Sequence, residues 1–134
     1  MRAICDDLDA ETQALSDVVA GLTEDEWRLP TPAAGWDTHE TIIHLGTADV
    51  AASMAVLDPD AFLALKEDML KGGGSLHSIG DVDFQAMSGQ EVWAWFASER
   101  TRMTEAFRPL GPKDRIPWFG PDMSALSFAT APLM

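Results

Sequence analysis

Glu40 and His44 stand four residues apart in the stretch Gly35-Trp36-Asp37-Thr38-His39-Glu40-Thr41-Ile42-Ile43-His44-Leu45. On a helix that spacing puts both side chains on one flank. A neutral imidazole and a carboxylate there can both act as metal donors. The other histidines are His39 and His77, and Cys5 is the one cysteine. His39 precedes His44 by five residues, which turns it well away. A stable metal site takes three or four side-chain ligands, and spacing supplies no third. His44 is the candidate metal ligand; the alternative is a hydrogen-bonded core or flank histidine, and spacing alone leaves both open. His77 falls in a loop and reads as a solvated residue. Cys5 adjoins an apolar stripe and has no basic neighbour in sequence, so it reads as a small buried residue rather than a nucleophile. There is no Gly-rich phosphate loop, nucleophile elbow or Cys-x-x-Cys pair.

The elements that must position these residues are bounded by caps. Asp37 followed by Glu40 is a variant of the capping box, and it starts a helix from about Thr38 to Leu57. Its main stripe is Ile43, Val50, Met54 and Leu57. Ile42 and Leu45 fall on other faces, so burial on more than one side is expected. Gly46 in mid-helix points to close packing of another backbone or a ligand. Before it, Ile4, Leu8, Leu15, Val18, Val19 and Leu22 recur at helical spacings, which predicts an amphipathic helix from Arg2 to Ala20. Thr23-Glu24-Asp25-Glu26 is a capping box for a short helix, and Pro30-Thr31-Pro32 forces an extended passage.

Asp58 caps a helix from Pro59 to Leu70, ended by Lys71 and Gly72-Gly73-Gly74. Ser75 to Met87 reads as a loop with a helical turn near Val82 to Met87. Ser88-Gly89-Gln90-Glu91 caps a helix to about Leu110, with Val92, Trp95, Phe96, Met103, Ala106 and Phe107 inward. Arg100 and Arg102 on it can bind a carboxylate ligand, but solvated or ion-paired roles fit them better. Arg108 suits the dipole of the last turn. After the aromatic loop Arg115 to Pro121, Asp122 or Ser124 caps a final helix that Pro132 should disturb. No segment alternates as a strand does. The expected fold is an all-α antiparallel four-helix bundle.

The chain has 134 residues, enough for one domain, and 46% of them are hydrophobic. Nine Lys and Arg stand against 22 Asp and Glu, a formal charge of -13. That field makes nucleic acid and anionic membrane surfaces poor partners. A single cysteine, an acidic N-terminus and the absence of any long apolar run lead to the expectation of a cytoplasmic protein.

Gly35-Trp36 followed by a helix bearing His44-Leu45 resembles the Gly-Trp…His-Leu signature of DinB-like bundles. The closer match is the N-terminal metal-binding domain of mycothiol-dependent maleylpyruvate isomerases. Leu22-Thr23-Glu24-Asp25-Glu26-Trp27, the approach from Pro32 to Trp36, and Pro117-Trp118-Phe119-Gly120-Pro121-Asp122-Met123-Ser124 support it. The last pattern is similar to a subfamily of actinobacterial metal-binding proteins. The resemblance covers essentially the whole chain and implies a four-helix bundle with a divalent metal, often zinc, held by three side chains. One matches His44. The other two, a Glu and a His one turn apart late in the fourth helix, are expected beyond Met134. The expectation is therefore that residues 1–134 form a metal-binding bundle with its fourth helix cut short, incomplete at the C-terminal end and inactive alone.

For intact members the resemblance implies isomerase or S-transferase chemistry on a small-molecule substrate, with mycothiol or a similar low-molecular-weight thiol as cosubstrate. Trp36, Trp118 and Phe119 are candidate pocket walls. The competing reading is a non-catalytic acidic module that forms a homodimer through uncovered helix faces.

Overall fold

A computed structural model describes residues 1–32, 35–72 and 83–133. The expected loop from Ser75 to Val82, with His77, lies outside the described residues, as do residues 33 and 34, Gly73, Gly74 and Met134.

The described chain is an all-α bundle with one very short sheet. Helix α1 spans Arg2–Val19, α2 Glu24–Trp27, α3 Thr38–Leu57, α4 Pro59–Leu70, α5 Gly89–Phe107 and α6 Ala125–Thr130. Two single 3-10 turns, Phe84–Ala86 and Ala131–Leu133, precede α5 and follow α6. The caps are the side chains that the sequence offers. Thr23 accepts from the Glu26 N–H, and the Glu26 carboxylate accepts from the Thr23 N–H. Ser88 and Glu91 make the same reciprocal pair at α5. Asp37 and Asp58 each accept from the N–H three residues on. At α3 the box is only half made, because the Glu40 carboxylate accepts from Gln85 Nε2 instead of reaching back.

One correction concerns the C-terminal quarter. Arg115–Ile116 and Met123–Ser124 pair as antiparallel strands β1 and β2. Two residues each are too few for alternation to register in sequence. At Pro132 the α-helix is disturbed as expected: α6 ends at Thr130, and the proline sits in the tighter turn that follows.

Helices α3 and α5 form the central pair. Gly46 meets Trp95 and Asp49 meets Arg100, so the two run in the same direction. Helix α4 lies between them in sequence and packs against α3. Helix α1 runs opposite to α5: Asp6 and Asp9 near its start pair with Arg108 at the end of α5. A Cβ at Gly46 would overlap the six-membered ring of Trp95, so this glycine sets how closely α3 and α5 approach.

The core has two parts. One joins Cys5, Leu8, Ala51, Ala52, Ala55, Phe62, Met103, Phe107, Ile116, Ala125, Phe128 and Ala129. The other joins Val19, Trp27, Ile42, Ile43, Phe84, Val92 and Phe96. Helix α3 contributes to both and buries residues on several faces, as its sequence predicts. Its expected stripe is only partly inward, however. Ile43 is buried and Leu57 is 58% exposed, because the closest neighbour, α5, packs on the small-residue face. Val18 on α1 is likewise exposed rather than inward.

Candidate functional site: an apolar cavity beside His44

His44 is presented by the Asp37 cap and two turns of α3, and its side chain is exposed. Its ring meets Trp36 edge to face, with centroids 5.2 Å apart and planes at 85°. The turn before α3 holds Trp36 there. The Thr31 N–H and hydroxyl both donate to the Trp36 carbonyl, at 2.9 and 2.7 Å.

His39 is buried, with no exposed surface. Its Nε2 lies 2.9 Å from the Met87 carbonyl oxygen and 3.2 Å from Arg28 Nη2. The shorter contact assigns the proton to Nε2, which donates to Met87. Nδ1 is then the acceptor, and it is buried without a partner among the described residues. His39 thus ties the start of α3 to the residue before the α5 cap, which is a structural role.

One turn along the same flank as His44, Ala48 lines a partly open cavity of about 180 Å³. Leu45, Ala52 and Asp49 complete its α3 wall, and Arg100 and Met103 come from α5. Trp118 and Met123, then Phe128, Ala131 and Pro132, close the other side. Nearly all of this wall is carbon. The cavity exists because α3 offers Ala48 and Ala52 where the neighbouring elements offer large groups that stack on one another. Trp118 lies parallel to Phe62, with centroids 5.7 Å apart, and edge to face with Phe128 at 4.5 Å. Those contacts hold its ring as a fixed wall.

Asp49 and Arg100 are the charged residues of this wall, and they are 3% and 5% exposed. Arg100 Nε donates to Asp49 Oδ2 at 2.6 Å, and Nη2 donates to Oδ1 at 3.3 Å. The guanidinium also sits 5.0 Å from the centroid of the Phe96 ring, a cation–π contact. Burial pushes the Asp49 carboxyl up to about 6, against the lowering effect of Arg100 and with a further small rise from Glu99. Burial also pushes the Cys5 thiol up, which fits an inert core cysteine.

Among the aromatic residues expected as pocket walls, Trp118 lines the cavity. Phe119 packs on Phe62 and Trp118 behind it. Trp36 borders a separate shallow hollow with Arg28, Pro30, Gly35 and Asp37. Asp49 was not foreseen as a site residue, and Arg100 was expected to be solvated or ion-paired. The sequence did carry a signal: Asp49 is the one formally charged residue between Thr41 and Leu57. A lone acid on a helix buried on several faces requires a cationic partner.

The metal expectation can be set against this geometry. Among the described residues no three or more His, Cys, Asp or Glu side chains gather closely enough to hold a metal ion. The described residues therefore do not form a complete site, and His44 is a single donor. Also among the described residues, no helix is long and apolar enough to cross a membrane.

Comparison with known proteins places these features in a lineage. Residues 8–134 match the family model described as the mycothiol maleylpyruvate isomerase N-terminal domain. Two uncharacterized proteins of Mycobacterium tuberculosis, one from strain CDC 1551 and one from strain H37Rv, are each 35% identical over 128 residues. The match covers 96% of this chain and 50% of either relative, so the chain spans about half their length. No solved structure matches significantly.

Proposed function

The chain belongs to the mycothiol maleylpyruvate isomerase N-terminal domain family, and from that premise we propose that it is the pocket-bearing domain of a thiol-dependent isomerase or transferase. The observation that carries this reading is the cavity on α3, one helical turn from His44 and walled by α5 and α6. Its partners in this reading are a small-molecule substrate and a low-molecular-weight thiol, mycothiol or a close analogue, in the cytoplasm.

His44 is proposed as one imidazole donor to a divalent metal, zinc in this reading, with the remaining donors supplied from beyond Met134. Such a metal, when bound, deprotonates a coordinating thiol at neutral pH. The chain's own residues have distinct tasks. The Asp37 cap fixes the register of α3, Trp36 orients the His44 ring, and the cavity walls hold the substrate's body away from water.

The test is metal content by mass spectrometry. It is applied to this chain, to a form extended to the length of its relatives, and to the extended form carrying His44→Ala. The extended protein should hold about one equivalent of divalent metal and lose it in the variant. An extended protein without stoichiometric metal would refute the reading. Tight binding by residues 1–134 alone through His44 would refute the assignment of the other donors to residues outside them.

A second reading is an acidic module that dimerises. It is favoured by Leu57, Leu63 and Leu70, which are 58%, 48% and 76% exposed at the end of α3 and along α4.

A further inference from the structure

The cavity between α3, α5 and α6 has a chemistry that the family description does not assign. Its wall is almost wholly carbon, from Leu45, Ala48, Ala52, Met103, Trp118 and Phe128. The cationic group in that wall is already engaged. Arg100 spends Nε and Nη2 on the two oxygens of Asp49, and both side chains are more than nine-tenths buried. The pair is neutral overall.

A carboxylate entering this space would lose its water and then have to compete with Asp49 for Arg100, beside a second negative charge. Removing a charge from water without a new partner is strongly unfavourable. A neutral apolar guest has no such cost. An apolar cavity of about 150 Å³ lined by Leu, Ile and Phe holds benzene, and this one is about 180 Å³. The Trp118 ring, held by Phe62 and Phe128, offers a flat face or edge for an aromatic guest.

We propose that this cavity receives the neutral, apolar body of the substrate, a group the size of a single aromatic ring, and discriminates against free carboxylates. The inference rests on the reading that the domain acts on a small molecule. It also narrows that reading, because it places the electrophile of this chain among uncharged, ring-sized molecules rather than among acids.

The experiment is calorimetric titration and ligand-observed NMR of the full chain with toluene, indole and benzoate at neutral pH. Toluene and indole should bind saturably, and benzoate at least tenfold more weakly. Ala48→Leu, at a half-buried position, places a branched side chain in the cavity and should weaken toluene binding about tenfold or more. Ala52→Val is the second variant, should the first unfold; circular dichroism and thermal melts establish that each is folded. Three results overturn the proposal. One is benzoate binding as tightly as indole. Another is no saturable binding of toluene or indole to the folded chain. The third is unchanged binding in both folded variants.

Failure here is distinct from failure of the metal test. An extended protein that holds metal through His44 but takes up no toluene leaves the thiol-chemistry reading standing and removes the substrate class. Toluene binding without metal in the extended form does the reverse.

Discussion

The Asp49–Arg100 pair should show a specific asymmetry when its members are removed one at a time. Both are almost fully buried, and their closest contact is 2.6 Å. At an effective dielectric of about 20, charges about 4 Å apart attract by about 4 kcal/mol. Breaking such a buried pair costs about 3–5 kcal/mol. Arg100→Met leaves a carboxylate, which can escape by taking up a proton. Asp49→Leu leaves a guanidinium, which cannot lose its proton.

In the intact protein the Asp49 carboxyl already stands at about 6, raised from 3.8 mainly by burial. Its folded value lies above its unfolded value. Its stabilising contribution is therefore complete below about pH 3.8 and is lost as pH rises through about 6. At about 1.4 kcal/mol per tenfold change in proton affinity, the rise corresponds to about 3 kcal/mol. The groups that set it are Arg100 and Glu99 on α5. Asp9 of α1 borders the surface cleft on the far side of Arg100, and α6 carries no charged residue.

Urea denaturation followed by tryptophan fluorescence at ~pH 5 and ~pH 7.5 reads all of this. Arg100→Met should cost about 3–5 kcal/mol at the higher pH and clearly less at the lower, where the carboxyl is protonated. Asp49→Leu should cost about 1 kcal/mol more at the lower pH than at the higher, because the variant lacks the proton uptake that stabilises the folded parent there. The double variant, which replaces the pair by apolar groups of similar size, should lie within about 1 kcal/mol of the parent at the higher pH. The cavity alongside gives leucine room. Single variants with equal, pH-independent costs that simply add in the double variant would refute the buried-pair account.

Gly46→Ala places a methyl group inside the Trp95 ring, so α3 and α5 must separate or the tryptophan must leave its rotamer. The expected loss is about 1–3 kcal/mol in a urea or thermal melt, whereas an unchanged midpoint would show that the contact is not limiting. If the exposed leucines of α3 and α4 support a dimer, light scattering should show a mass that rises with concentration toward twice the monomer value. A concentration-independent monomer would remove the interaction-module reading.

The helix boundaries were legible because caps are local. Asp37, Asp58, Thr23 and Ser88 fix their helices through bonds to N–H groups three residues away, and no distant residue is needed to see them. Thr38–Leu57 and Pro59–Leu70 follow from those signals without adjustment. Helix α5 stops at Phe107 rather than Leu110. Arg108 still has helical dihedrals and donates to the Thr104 carbonyl, and Pro109, which has no N–H, cannot continue the ladder.

What was not legible depends on partners far away in the chain. The inward face of α3 is set by Trp95 meeting Gly46 and Arg100 meeting Asp49, roughly fifty residues later. His39 was dismissed because it points away from His44, and that direction is inward, to Met87. The strand pair Arg115–Ile116 with Met123–Ser124 has no periodicity to detect. His44 was singled out by type and by resemblance, and the structure adds its exposure and its contact with Trp36.

Helix α3 shows why stability and site chemistry must be considered together in this chain. An ordinary amphipathic helix buries one stripe and leaves the rest to solvent. Helix α3 instead turns Gly46, Ala48, Ala51, Ala52 and Ala55 toward its neighbours or into the core. Small residues bring α5 close at Gly46, and at Ala48 and Ala52 they leave a space that α5 does not fill. A fold optimised for stability alone would fill that space, since empty apolar volume costs about 24 cal/mol per Å³. It would also replace Asp49 and Arg100 by apolar side chains, which is neutral or stabilising in comparable pairs. Neither the cavity nor the buried pair is what stability alone would select, and they share one wall. That coincidence supports the substrate pocket proposed above.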